Sequence, residues 1–186
     1  MSLINNSNQY GSISKIFHWT TFLLVAFMLL LGFFMGDIGN KILRAEVVNL
    51  HKLIGLFILL FIFLRASWAS VNIKPVLPLN TPLWEKFAER VVHYLLYTLL
   101  FLMPLSGWVG SSLSGKPPVW GHFHLGLPLY PNKLLIKTAF DLHYKIAIIL
   151  IALVCIHVAA ALYHHFVKRD NVLLRMLTTT DRESHR

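Results

Sequence analysis

Residues 141–165 have the sequence DLHYKIAIILIALVCIHVAAALYHH, a long apolar segment that carries His143 near its start and His157 fourteen residues later. At about 100° per residue, fourteen steps fall only about 40° short of four full helical turns. Both imidazoles therefore leave the same face of one helix, separated by about 21 Å at 1.5 Å per residue. If that helix crosses a membrane, the two side chains lie at different depths, which suits two stacked metal centres.

The composition of the whole chain indicates an integral membrane protein. Of its 186 residues, 56% are hydrophobic and only 13% are charged, whereas ordinary soluble domains contain about 25% charged residues. The formal net charge is +9. It does not indicate nucleic-acid binding, because the basic residues flank apolar segments instead of forming one stripe.

Four apolar segments are each long enough to cross a bilayer, and only a helix satisfies its own backbone across lipid. The predicted spans cover about residues 14–36, 47–68, 87–110 and 138–167. Pro104, near the end of the third span, predicts a kink. Residues 1–186 are therefore expected to form a single all-α, multi-pass membrane domain, a four-helix bundle without a separate soluble domain.

Four spans place both termini on the same side of the membrane. Ten basic residues lie on that side, namely Lys15, Arg65, Lys74, Lys86, Arg90, Lys168, Arg169, Arg175, Arg182 and Arg186. Seven lie on the other side, namely Lys41, Arg44, Lys52, Lys116, Lys133, Lys137 and Lys145. Because cytoplasmic loops carry an excess of Lys and Arg, this distribution favours cytoplasmic termini.

Histidines recur in or beside all four predicted spans. Ionisable groups inside a membrane are costly and usually functional, and a neutral imidazole is a standard ligand of haem iron. His51 and His143 follow the outer starts of the second and fourth spans, so they share an outer level. His18 and His93 lie toward the inner side, and either of them could meet His157 across the bundle.

Two ligands at each level favour haem over structural zinc, which takes four ligands and often Cys. Small residues beside the histidines, such as Gly55 and Ala147, leave room for a flat macrocycle, although they equally favour close helix packing. The absence of a Cys-x-x-Cys-His motif indicates that a haem would not be attached covalently. A His-rich metal or proton transporter is the alternative of another class, and the paired depths argue against it.

Other polar residues are candidates for contact with a quinone or with haem propionates. His164 lies about 31 Å along the helix from His143, roughly a whole hydrocarbon thickness, so it is expected beside the inner centre near an arriving quinone headgroup. Arg65 is expected either to pair with an inner propionate or to anchor its helix at the inner surface. Trp19 and His93 are further candidates at the inner level.

Taken in order along the chain, these residues resemble the bacterial cytochrome b561 family of four-helix, di-haem b membrane proteins. The resemblance covers about residues 10–176. The matching segments are SKIFHW (14–19), NLHK (49–52), HYLLY (93–97), MPLSG (103–107), DLH (141–143), HVAAALYHH (157–165) and KRDNVLLRM (168–176).

The resemblance implies two haems b per chain. It implies that His18 and His157 ligate the inner haem, and that His51 and His143 ligate the outer haem. It also implies a bacterial inner-membrane oxidoreductase that exchanges electrons with ubiquinone. Some similar proteins oxidise superoxide outside the membrane and pass the electron to quinone. The alternative within electron transfer is a cytochrome b relay subunit of a larger respiratory dehydrogenase or hydrogenase, which would dock to a protein redox partner.

Lysines near the outer level are candidates for two roles. Lys52 and Lys145 each lie within two residues of an expected outer ligand and are candidates for contacts with haem propionates. Together with Lys116, Lys133 and Lys137 they could attract an anion such as superoxide, because a positive cleft raises encounter rates. Ordinary solvation and snorkelling are the alternative interpretation of these side chains.

Overall fold

The computed structural model describes residues 2–78 and 80–177, and within them four long helices form a bundle. All four are long and apolar enough to cross a membrane, which confirms the predicted all-α membrane architecture. The helices are α1 (Ser12–Phe34), α2 (Lys41–Val71), α3 (Leu83–Leu113) and α4 (Lys133–Tyr163). The smaller elements are a 3₁₀ turn (Met35–Asp37), strands β1 (Val119–Trp120) and β2 (Phe123–His124), a π-helical turn (His164–Lys168) and α5 (Leu174–Leu177).

Each long helix begins before the apolar segment that predicts it. α2 begins at Lys41, because the side chain of Asn40 accepts hydrogen bonds from two N–H groups of the first turn, as a good N-cap does. Residues 41–46, expected as loop, are therefore helical. Asn132 caps α4 in the same way, and that helix begins at Lys133. Polar first turns weaken the hydropathy signal without ending the helix.

Consecutive helices pack against each other, α1 on α2, α2 on α3 and α3 on α4. Both described ends of the chain meet at one end of the bundle. There the indole N–H of Trp19 donates to the carbonyl of Met176 over 3.0 Å, and the N–H of Val76 donates to the carbonyl of Ser7 over 3.0 Å. We call this end the terminal face, and the opposite end, with connections 35–40 and 114–132, the loop face.

The connection between α3 and α4 forms a structured cap on the loop face. Strands β1 and β2 pair antiparallel, and their turn contains Gly121 with a φ of 59°, a conformation that favours glycine. Asn49 of α2 exchanges two hydrogen bonds with the backbone of Val119, over 2.8 and 2.9 Å. The Lys52 ammonium donates to the carbonyl of Lys116 over 2.8 Å. The cap is therefore fixed to α2.

The buried apolar core lies midway along the bundle. It includes Ile58 and Ile62 of α2 together with Ile146, Ala147 and Leu150 of α4. In sequence these residues fall between His51 and Arg65 on one helix and between His143 and His157 on the other. An apolar layer therefore separates the two histidine levels.

Candidate functional site

His51 of α2 and His143 of α4 lie opposite each other toward the loop face. Their ring centroids are 6.2 Å apart and their ring planes are inclined by 74°. Two imidazoles that bind one metal atom from opposite sides have centroids about 6 Å apart, given metal–nitrogen bonds of about 2.0 Å and a nitrogen about 1.1 Å from each ring centre. The pair therefore has the separation that two axial ligands require.

Residues of α3 hold the ring of His143. Its Nδ1 is 2.8 Å from the carbonyl oxygen of Met103 and 3.3 Å from the hydroxyl of Ser106. Because a carbonyl only accepts, Nδ1 carries the hydrogen and Nε2 keeps its free electron pair, as is usual for a metal-binding histidine. Gly107 makes room for the ring, since a Cβ at this position would be 2.9 Å from Cε1 of His143.

The opposite ring carries an orphaned polar atom. Nδ1 of His51 is buried and has no hydrogen-bond partner in the described part of the chain. Leaving a buried donor or acceptor without a partner costs about 1–3 kcal/mol, so such an atom in a native fold points to a functional role. Gly32 of α1 approaches the same ring, because a Cβ there would be 3.3 Å from Cε1 of His51.

A cavity of about 470 Å³ lies between these helices, within the range of small-molecule and cofactor sites. Its walls are mostly apolar. The polar part of the lining includes both imidazoles, His51 and His143, and two cations, Lys52 and Lys116. Two nitrogen donors, apolar walls and nearby ammonium groups suit a flat apolar metal complex that carries carboxylates, and haem has this chemistry.

A second pair of imidazoles lies toward the terminal face. The ring centroids of His18 in α1 and His157 in α4 are 6.1 Å apart. His93 of α3 is closer to His157, with 5.1 Å between centroids, which is shorter than two rings on opposite sides of one metal atom allow. The Nδ1 of His93 is 2.8 Å from the carbonyl of Glu89 in its own helix. The spacing therefore favours His18 over His93 as the partner of His157.

Arg65 of α2 lies beside the terminal-face pair. Its Nη2 is 3.1 Å from Nδ1 of His18, and its guanidinium carbon is 5.2 Å from the ring centre of Tyr97, within cation–π range. Among the described residues no carboxylate lies within ion-pair distance of Arg65. The site thus contains a half-buried cation whose nearest partners are neutral rings.

Two other groups complete the polar surroundings of this pair. Glu89 forms an ion pair with Lys74, 2.7 Å away, and its carboxylate is 3.1 Å from Nδ1 of His93. Tyr10 precedes α1, and burial, helped by the charge of Glu89, raises the pKa of its hydroxyl to about 12. Tyr10 is therefore a neutral hydrogen-bonding group at physiological pH.

A separate charged network joins α3 to the end of α4. Lys168 pairs with Glu85, and Nδ1 of His164 is 2.5 Å from the carboxylate of Asp170. Nε2 of His164 is 3.8 Å from Glu85. The His164 ring is therefore held between two carboxylates at the π-helical turn, beyond the terminal-face pair.

The remaining sequence candidates have different surroundings. The ring centroid of Trp19 is 5.2 Å from that of His18, and its indole N–H is bound to the carbonyl of Met176. Lys52 lines the loop-face cavity, whereas Lys145 is exposed on α4 and is not part of that lining. Sequence reasoning assigned no role to Ser106, Gly107 or Tyr97. The segments MPLSG and HYLLY, which contain these residues, were the available signal.

Similar proteins match nearly the whole chain. Residues 9–179 match the family model described as prokaryotic cytochrome b561. The chain is 33% identical over 180 residues to cytochrome b561 homolog 2 of Escherichia coli (strain K12), with 95% of each chain covered. It is 30% identical over 177 residues to homolog 1 of the same organism, with 91% of this chain and 97% of that protein covered. A probable superoxide oxidase CybB of Yersinia pestis is 31% identical over 105 residues, 55% of this chain and 58% of that protein.

Replacing Gly107 tests whether the His143 ring needs the space beside α3. Gly107→Ala places a methyl group 2.9 Å from Cε1 of that ring, closer than van der Waals contact allows, so it should displace the imidazole and lower the haem content of the purified protein. Gly36→Ala is the control, because a Cβ there meets nothing within 4 Å. The haem-to-protein absorbance ratio measures the effect. A Gly107→Ala protein with normal haem content and an unchanged spectrum would contradict this role.

Proposed function

Because the chain belongs to the prokaryotic cytochrome b561 family, we propose that it is a di-haem b quinone oxidoreductase of a bacterial inner membrane. Family membership makes it a bacterial membrane electron-transfer protein that binds b-type haem. The proposal adds the number of haems, their ligands and the molecules at the two ends of the electron path. It also assigns the terminal face to the cytoplasm, as the distribution of Lys and Arg favours.

The spacing of the two imidazole pairs carries the proposal. The centroid separations are 6.2 Å for His51 with His143 and 6.1 Å for His18 with His157, and both suit axial ligation of one iron. Haem b bound at each pair supplies a one-electron couple. A haem held by two imidazoles at each pair would exchange electrons without binding oxygen.

The chain's own side chains set the surroundings of each centre. Ser106 and the carbonyl of Met103 orient His143, and Lys52 and Lys116 offer cations to carboxylates at the cavity. Along α4 the rise between His143 and His157 is about 21 Å, and the apolar core excludes water from the layer between them. The two imidazole pairs would thereby hold the two centres at separate depths of one bundle.

Quinone exchange is assigned to the terminal face, and superoxide oxidation to the loop face. Trp19, Arg65 and His93 lie beside the terminal-face pair; Arg65 and His93 offer hydrogen-bonding groups for a quinone, and Trp19 offers an aromatic face. At the loop face, Lys52 and Lys116 favour the approach of a small anion. The likeness to a probable superoxide oxidase, over part of the chain, supports superoxide as that anion.

The exposed hairpin of the cap favours a second candidate function, a relay subunit of a larger dehydrogenase or hydrogenase. Trp120 and Phe123 face each other across the hairpin and are 73% and 75% exposed. Aromatic residues are enriched in protein interfaces. Co-purification of a soluble redox subunit with the intact chain would favour the relay function.

Substitution of single histidines tests the ligand assignment. His51→Ala and His143→Ala should each remove one haem and leave the other, and His18→Ala and His157→Ala should remove the complementary haem. His93→Ala and the surface control His124→Ala should retain both. Pyridine haemochrome analysis against protein concentration gives the count. Retention of both haems in His51→Ala or His18→Ala would refute the assignment.

Stopped-flow kinetics test the proposed reaction partners. Superoxide should reduce the haems of the purified protein within its own lifetime, and ubiquinone should then reoxidise them. Lys116→Gln should slow the first step at low salt, because it removes a cation of the loop-face cavity, while Lys86→Gln near the terminal face should not. The relay function would be favoured if superoxide cannot reduce the haems, while an artificial donor still reduces them and ubiquinone still reoxidises them.

A further inference from the structure

We infer that Arg65 makes the terminal-face centre the higher of the two in reduction potential, so that electrons pass spontaneously from the loop face to the terminal face. The inference rests on the proposed ligation by His18 with His157 and by His51 with His143. It adds the order of the two reduction potentials and a residue that sets it.

The position of Arg65 places a permanent charge within the bundle, beside the terminal-face centre. Arg65 lies fourteen residues after His51 in α2, so one helix brings a ligand to the loop-face level and this cation to the terminal level. Its Nη2 is 3.1 Å from His18, and the guanidinium stays protonated at any physiological pH. Oxidised iron carries one more positive charge than reduced iron. A nearby cation therefore disfavours the oxidised form and raises the reduction potential.

None of the carboxylates in the described part of the chain pairs directly with this charge. The carboxylate of Glu89 is engaged by Lys74 at 2.7 Å and by His93 at 3.1 Å. Tyr10, whose hydroxyl keeps its proton, adds no negative charge. The contact between Arg65 and the Tyr97 ring is a cation–π contact, which leaves the positive charge in place.

The hydrogen bonds of the two pairs act in the same direction. His143 donates from Nδ1 to the carbonyl of Met103 over 2.8 Å, and such a bond makes an imidazole a more basic ligand that favours oxidised iron. The corresponding atom of His18 has no such acceptor in the described part of the chain, where its partner is the Arg65 guanidinium. The loop-face centre is therefore expected to have the lower potential.

Cations also exist at the loop face, but water screens them more strongly. Lys116 is exposed, and the bond from the Lys52 ammonium to its carbonyl lies at the surface. Charges in contact with water interact weakly with their neighbours. Arg65, within the bundle, is screened less.

Iron binding leaves Arg65 near the same centre. A guanidinium only donates hydrogen bonds, so His18 accepts from it in this arrangement. A ring that binds iron through Nε2 carries its hydrogen on Nδ1 and can no longer accept. A haem carboxylate is then the acceptor with matching chemistry, and removal of the Arg65 charge lowers the potential in either arrangement.

Potentiometric titration of the haem absorbance tests this inference. Arg65→Gln should lower the midpoint potential of one haem and leave the potential of the other unchanged. The expected shift is at least about 59 mV, which for a one-electron couple is a tenfold change in the partition of an electron between the two haems. Because Arg65→Lys keeps the positive charge, it should leave the midpoint potential of that haem close to its value in the unaltered chain. Arg90→Gln removes an exposed charge of α3 and should have no effect. The His143→Ala protein, which keeps only the terminal-face haem, assigns the affected centre.

The possible outcomes separate this inference from the proposed function. Two bound haems with unchanged potentials in Arg65→Gln, or a higher potential at the loop-face haem, would overturn the inference and leave the ligation intact. Fewer than two haems in the unaltered chain would overturn the proposed function and the inference with it. A terminal-face haem with the lower potential in the unaltered chain would also overturn the inference, and this result can be obtained even if Arg65→Gln fails to bind haem.

Discussion

A single straight helix can present two imidazoles on one face only at particular spacings, and fourteen residues is such a spacing. Helix α4 meets this condition with His143 and His157, and it supplies one member of each imidazole pair. Helix α2 supplies His51 to one pair, and α1 supplies His18 to the other. The buried apolar residues of α2 and α4 lie between the two levels.

The two pairs are alike in separation and differ in their surroundings. The loop-face pair lies in a mostly apolar cavity, where α3 provides the carbonyl of Met103 and the space beside Gly107. The terminal-face pair has the charge of Arg65 at 3.1 Å and the hydrogen-bonding side chains of His93 and Trp19 nearby. This asymmetry gives a chemical reason for the two ends of one bundle to exchange electrons with different molecules.

Hydropathy alone predicts the four helices, because lipid requires long apolar segments and every backbone group must be satisfied internally. It fails at the helix starts, where Asn40 and Asn132 cap polar first turns. Depth along the spans brings His51 to the level of His143, but it leaves His18 and His93 as equal partners of His157. The family resemblance implies His18, and the distances between helices favour the same residue. The supporting contacts of Ser106 and Tyr97 also join helices distant in sequence, so no local pattern reveals them.

The central claim is that four imidazoles from three helices bind two haems, one at each level. Low-temperature electron paramagnetic resonance of the oxidised, unaltered chain, combined with haem and protein quantification, tests it most directly. We expect two haems per chain, both low-spin with two imidazole ligands. One haem per chain, or a high-spin signal from an iron that lacks its second imidazole, would contradict it.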